Sequence, residues 1–168
     1  DSGGPDQYGY IWVDSNEPGG PSSDWVDISG LGETVGNADD ESYGPFDIGF
    51  AFPYYGDTFT QLRICTNGFI TFDVGSANDP YTNGPMPNAD APDLMLAPFW
   101  DDLYQSGSYS GVYQWYDEVN HRWIVTWNKM RNDVGGYNET FQAILYDPAH
   151  HHYGVRTPLS LTLSRDCG

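Results

Sequence analysis

The stretch PFDIGFAFPYYGDTFTQLRICTNGFITF, from Pro45 to Phe72, decides the fold class. Apolar residues recur at every second position in Phe46, Ile48, Phe50 and Phe52, with Asp47, Gly49 and Ala51 between them. This is the period of a strand packed on one face. Pro53 is expected to stop the ladder, because it has no amide hydrogen to donate. A second run, Leu62 to Thr66, leads into Asn67-Gly68, and a third, Phe69 to Val74, leaves it. Asn-Gly between two apolar runs predicts a two-residue hairpin turn in which both central residues take positive φ. Antiparallel sheet therefore lies at the centre of the chain.

The flanking sequence extends the same pattern. Downstream, Leu94 to Trp100 is a strand-like run interrupted at Pro98, and Gly111 to Asp117, Arg122 to Lys129 and Phe141 to Tyr146 read as three strands in succession. Trp123, Val125 and Trp127 share one face of the second, opposite Ile124, Thr126 and Asn128; Phe141, Ala143 and Leu145 share one face of the third. Leu159, Leu161 and Leu163 mark a last strand. Upstream, Tyr8 to Val13 reads as a strand apolar on both faces, followed by the turn-rich linker DSNEPGGPSSD and a short strand at Trp25 to Ile28. Gly30 to Tyr43 is a polar loop, and Gly75 to Asp93, with Pro80, Pro85, Pro87 and Pro92, is a long loop suited to binding or to covering an edge. Consecutive hairpins predict an all-β antiparallel sandwich, immunoglobulin-like or jelly-roll-like, with Gly/Pro-rich loops. Residues 1–23 are expected to form an N-terminal strand and linker, and 24–168 the sandwich.

Length and composition agree with one turn-rich β domain: 168 residues, 16% aromatic, with 20 Gly and 12 Pro. The net charge is −18, and residues 1–120 hold 20 acidic residues against one basic residue, Arg63. Such a surface repels nucleic acid and anionic membranes, and no basic stripe reverses this. No apolar run approaches the roughly 20 residues of a membrane-spanning helix, so no membrane insertion is expected. The chain opens on Asp1 rather than Met, which reads as processing or as excision from a longer chain.

Three motifs, FDIGFAFPYYG, TNGFITF and LMLAPFWDDL, together with the opening PDQYGYIWVDSNEPGGPSSDWVDIS, carry a resemblance. Over roughly Pro5 to Pro148 the chain resembles the nidogen-like extracellular β-sandwich modules, which also occur in plexin-domain-containing surface proteins, secreted bacterial proteins and gingipain-type peptidases. The opening looks like the bacterial branch. The resemblance implies a secreted or cell-surface, non-catalytic module rather than an enzyme. An extracellular address favours pairing of Cys65 with Cys167, closing a loop of roughly 100 residues worth about 4–5 kcal/mol in the chain-entropy model; two buried thiols are the alternative.

Several residues are candidates for chemistry. Asp39, Asp40 and Glu41 offer the oxygen ligands a hard cation such as Ca2+ takes, or simply form a solvated loop, and the same holds for Asp73, Asn78 and Asp79. Asp101 and Asp102, as adjacent residues on a strand, point to opposite faces and would not flank one bond unless the strand has ended there, which argues for a turn or cation-binding role over glycosidase chemistry. Trp115, Trp123 and Trp127 are candidates for stacking on sugar rings, with core packing the alternative. Asn138-Glu139-Thr140 matches a glycosylation acceptor pattern. His150, His151 and His152 read as a surface loop, because consecutive residues point different ways and no spaced ligand set accompanies them.

Compared with the modules it resembles, the chain ends a strand early, after AHHHYGVRTPLSLTLSRDCG. An open sheet edge invites pairing, and Tyr8, Tyr10, Ile11, Trp12 and Val13 form an apolar strand on a tether. The expectation is an extracellular structural or adhesive module that self-associates into a homo-oligomer or pilus-like filament by donor-strand exchange. The alternative is a carbohydrate-binding accessory module of a secreted enzyme.

Overall fold

The computed structural model describes residues 1–22, 25–87 and 89–151, with the backbone of 159–165. It is all-β: no helix occurs among the described residues, and every strand pair is antiparallel. The strands are β1 (Ser2–Gly3), β2 (Trp12–Val13), β3 (Glu33–Gly36), β4 (Ser42–Tyr54), β5 (Asp57–Cys65), β6 (Phe69–Thr71), β7 (Met95–Leu96), β8 (Leu103–Tyr104), β9 (Gly111–Asp117), β10 (Arg122–Asn132), β11 (Asn138–Tyr146) and β12 (Leu159–Arg165). One sheet has the order β4-β5-β6-β7; the other has the order β12-β11-β10-β9-β3, with β8 also paired to β10. β1 and β2 form a separate ribbon.

The two sheets close on one core, drawn from Ile48, Phe52, Leu62, Ile64 and Ile70 on one side and Trp123, Val125, Trp127, Phe141, Ala143 and Leu145 on the other. All of these are buried, as the two-residue period requires. Each of the large aliphatic and aromatic side chains among them contributes about 1.5–3 kcal/mol by burial. Trp127 stacks on Phe141 with ring centroids 4.9 Å apart, and its indole N–H donates to the Cys65 carbonyl at 2.9 Å, tying the sheets together. The Leu159 to Leu163 strand is present as β12, paired along β11.

The outer face of the larger sheet carries a smaller cluster, Ile28, Ile124, Ile144 and Tyr146, against which Val26, Tyr113 and Trp115 pack. Trp25 to Ile28 does not form the expected strand. Instead the buried Gln142 side chain imitates one: its amide donates to the Val26 carbonyl at 2.8 Å and its oxygen accepts from the Val26 N–H at 3.1 Å. The polar stretch from Gly30 to Tyr43, expected as loop throughout, contains β3, which pairs with β9. Leu94 to Trp100 yields only the two residues of β7.

Two turn predictions need correction. Pro53 does not end β4, which runs on to Tyr54 with Pro53 opposite Thr58. β4 is an edge strand, where a missing N–H costs no ladder bond. The Asn67-Gly68 turn has three residues, not two: Cys65 pairs directly with Phe69, and only Gly68, at φ 84°, takes the left-handed conformation. Three-residue hairpins place glycine at that last position. Asn67 is thereby released from the turn's left-handed geometry and its side chain turns inward.

Candidate functional site

Asn67 is fully buried and sits among a cluster of carboxylates. Its side-chain amide donates to Asp40 Oδ1 at 2.9 Å and to the Asp79 carbonyl at 3.3 Å, and its Oδ1 accepts from the Leu103 N–H at 3.0 Å. Its carbonyl accepts from the Asp101 N–H at 3.3 Å. The loop before β4, the long loop after β6 and the segment before β8 thus meet at one residue. Carboxylate oxygens of Asp39, Asp40 and Asp102 lie within 4.8 Å of one another there. Burial, then the charges of Asp40 and Asp133, pushes the Asp39 carboxyl above its ordinary range; burial and the charges of Asp40, Asp133, Asp39 and Asp101 do the same to Asp102. The arrangement offers the oxygen donors a hard divalent cation takes.

Asp39 and Asp40 were expected at this position with Glu41; Asp102 takes Glu41's place. The Glu41 backbone pairs with Thr66, its N–H reaching Thr66 Oγ1 at 3.1 Å and its carbonyl accepting from the Thr66 N–H at 3.0 Å. Asp73, Asn78 and Asp79 add no carboxylate to the group of three. Asp101 and Asp102 stand outside any strand, and the Asp101 carboxylate is tied locally, accepting from the Asp102 N–H at 3.0 Å and from Asn132 Nδ2 at 2.7 Å. The long loop is pinned rather than loose: Trp100 Nε1 donates to the Pro80 carbonyl at 2.8 Å, and Asn83 Nδ2 to the Trp100 carbonyl at 2.9 Å.

Beyond the other end of β10 a second polar group forms around the β9–β10 turn. Asp117, with its side chain 3% exposed, accepts from Arg122 Nε at 2.9 Å and from Asn120 Nδ2 at 2.8 Å. Burial alone would raise its carboxyl, but these donors hold it below the ordinary range. Asp147 accepts from the Ala149 N–H at 2.9 Å and meets His150 Nδ1 at 2.9 Å, and its carboxyl is likewise held low against the effect of burial. His150 and His151 stand in a loop outside the strands and point different ways, as expected: His151 Nε2 lies 2.7 Å from the Asn120 carbonyl. His152 lies outside the described residues.

The N-terminal segment differs from the continuous strand expected over Tyr8 to Val13. Asp6 Oδ1 accepts from the N–H groups of Tyr8 and Tyr10, at 2.9 and 2.8 Å, folding that part into a turn, and only Trp12 and Val13 pair, with Gly3 and Ser2. Tyr10 packs on the core and its hydroxyl accepts from the Tyr55 N–H at 3.0 Å; Tyr8 meets the Tyr55 ring edge-on at 5.1 Å. Ile11, Trp12 and Val13 remain 65%, 56% and 44% exposed.

Of the tryptophans proposed to meet sugars, Trp123 and Trp127 are fully buried in the core, which removes them as stacking platforms, and Trp115 packs beside Ile124 and Ile144. A different aromatic surface exists: a pocket of about 210 Å³ lined by Trp25, Tyr109 and Tyr113 with Asp27, Ser29 and Asn128 among its polar groups. No periodicity marks Trp25 or Tyr109, because both stand in irregular segments. Asn138 is exposed at the start of β11. Cys65 is a fully buried thiol pushed up to about 12 by burial; Cys167 lies outside the described residues, as does any pairing of the two.

Two packed antiparallel sheets with acidic loop corners, and no helix among the described residues long and apolar enough to cross a membrane, define an all-β module of the β-sandwich class. The family model for NIDO-related domains matches residues 21–151, and the chain belongs to that family. NIDO-related domains are typically extracellular and in general non-catalytic. No match was found among curated proteins or among solved structures.

Proposed function

We propose that this chain is a non-catalytic, extracellular structural or adhesive module that associates with further copies of itself through its N-terminal segment. The observation that carries the reading is the run Ile11, Trp12 and Val13, whose apolar side chains stand in solvent on a ribbon of only two residue pairs. Contiguous exposed apolar groups mark interaction sites, and so short a ribbon is marginal by itself. Opening it frees Tyr8 to Val13 to add to the sheet edge of a neighbour. Head-to-tail addition of that kind builds filaments when the rotation between copies does not close. The long β4 edge is poorly suited, since Pro45, Pro53 and two register shifts interrupt it; β3 and β7 present shorter alternatives.

Light scattering and electron microscopy on the full chain and on an Ile11→Ser/Trp12→Ser variant test this. Extended particles from the former and single subunits from the latter are expected. Monomers of equal stability from both would end the self-association reading.

A second reading has its own support. The pocket between Trp25, Tyr109 and Tyr113 combines aromatic faces with carboxylate and amide groups, the chemistry that holds a sugar ring. A glycan-array screen in which Tyr109→Ala abolishes the hits would favour a carbohydrate-binding accessory module, and an empty array would remove it.

A further inference from the structure

The register of the β10–β11 hairpin pairs Arg122 with Tyr146, so the next positions outward, His121 and Asp147, face each other across the strand ends. The Asp147 N–H donates to the His121 carbonyl at 2.9 Å, continuing the ladder by one bond. The Asp147 carbonyl in turn accepts from the N–H groups of His150 and His151, at 3.1 and 2.9 Å, so the chain turns back tightly and returns His150 to the same place. Ligand atoms of His121, Asp147 and His150 consequently lie within 4.8 Å of one another. The imidazole rings of His121 and His150 are stacked face to face, with centroids 3.6 Å apart and planes 6° from parallel.

We propose that His121, Asp147 and His150 form a binding site for a borderline transition-metal ion of the zinc type. Two imidazoles and one carboxylate suit such an ion, whereas calcium and magnesium take oxygen donors. Tetrahedral zinc with ligands about 2.1 Å away separates its donor atoms by roughly 3.4 Å. The 2.9 Å between His150 Nδ1 and Asp147 Oδ2 is already near that spacing. Parallel stacked rings do not aim both lone pairs at one point, so one imidazole turns on binding. His150, whose side chain is 49% exposed, has the room to do so. Asp147 is held from behind by the Ala149 N–H, and His121 occupies a left-handed backbone conformation, φ 50°, fixed by the turn. Three protein ligands leave a fourth position for water or for a side chain of another molecule. The ion links the β9–β10 turn to the residues that follow β11, and the surrounding charge of −18 raises cation concentration at the surface.

Isothermal titration of the metal-stripped full chain with Zn2+ alone tests the site. One equivalent is expected to bind, with the imidazole 15N resonances of His121 and His150 shifting as one nitrogen of each ring is coordinated. His121→Asn, which keeps a residue tolerant of positive φ, and His150→Ala are each expected to weaken binding at least 10-fold. His151→Ala is expected to leave the affinity unchanged. Circular dichroism in EDTA establishes that each variant is folded before titration. No Zn2+ binding, or binding that survives His121→Asn and is lost with His151→Ala, would overturn the assignment by placing any ion on the exposed histidine run instead.

Discussion

Two corners of the molecule, beyond opposite ends of β10, use the same residue type to opposite effect. At one, Asp39, Asp40 and Asp102 converge, and burial, reinforced by the charges of other carboxylates, makes Asp39 and Asp102 harder to ionise than usual. At the other, Asp117 and Asp147 meet Arg122, Asn120 and His150 and are easier to ionise than usual. The difference teaches that an acidic count says little about stability: an aspartate supports or opposes the fold according to what its neighbours donate. β10 spans 11 residues, roughly 35 Å, several times the Debye length at physiological salt, so the two corners can be perturbed independently.

The largest effect is expected from breaking the favourable corner. Asp117→Ala removes the buried carboxylate that faces Arg122, whose guanidinium keeps its hydrogen bond to Tyr146, and removal of one partner from such a pair costs about 3 kcal/mol. Urea denaturation at pH 7 measures it. Because the folded carboxyl titrates below its unfolded value, its contribution is complete above about pH 4 and is lost as pH falls through the folded value. Wild type and variant should therefore converge in acid. A loss under 1 kcal/mol at pH 7 would mean that desolvation cancels the pairing.

A smaller effect, of reversed sign, is expected at the acidic corner. Asp102→Asn removes one of the mutually repelling charges and should raise Tm by about 2–4 °C in the presence of a chelator, the shift roughly 1 kcal/mol produces in a domain of this size. The sign follows from the raised carboxyl: the folded state holds its proton more tightly, so the corner's cost appears as pH rises through that window and persists at neutral pH. If this corner binds calcium, a hundredfold excess over the Kd stabilises the wild type by about 2.7 kcal/mol and the variant by much less. If calcium leaves the wild-type Tm unchanged, the corner is only a solvated acidic loop.

The parts of the fold legible in sequence were those where burial is decided within one strand. Phe46 to Phe52, Trp123 to Trp127 and Phe141 to Leu145 each alternate locally, and the structure places their apolar faces inward. The corners were less legible because they are made by register between strands. Ser42 pairs with Cys65, so Asp40 falls opposite Asn67 two steps further out; Arg122 pairs with Tyr146, so His121 falls opposite Asp147 one step out. Turn length alone does not give either pairing: the β4–β5 register shifts between Asp47 and Phe52 and again between Tyr43 and Phe46, and the β10–β11 register shifts between Trp127 and Met130, and no sequence period marks such bulges. Asp102 could not be found this way, since it reaches Asp39 and Asp40 through a loop that no period describes. The exposed Ile11 to Val13 run looked like a buried strand because alternation reports two apolar faces, not whether anything covers them.

The smallest effect tests the comparison most directly, because it repeats one substitution in the opposite setting. Asp147→Asn removes a carboxylate that His150 and the Ala149 N–H favour, so in metal-free solution it should lower stability by about 0.5–1.5 kcal/mol where Asp102→Asn raises it. The loss should be complete above about pH 4 and shrink as pH falls through the depressed value of the folded carboxyl. Parallel urea titrations of the two variants at pH 7 and pH 3 give four numbers from one chemical change. Opposite signs at pH 7 that both shrink at pH 3 are expected. Equal signs at pH 7 would mean that neighbouring charge does not set the balance at these corners, and that loss of the carboxylate's backbone contacts governs both.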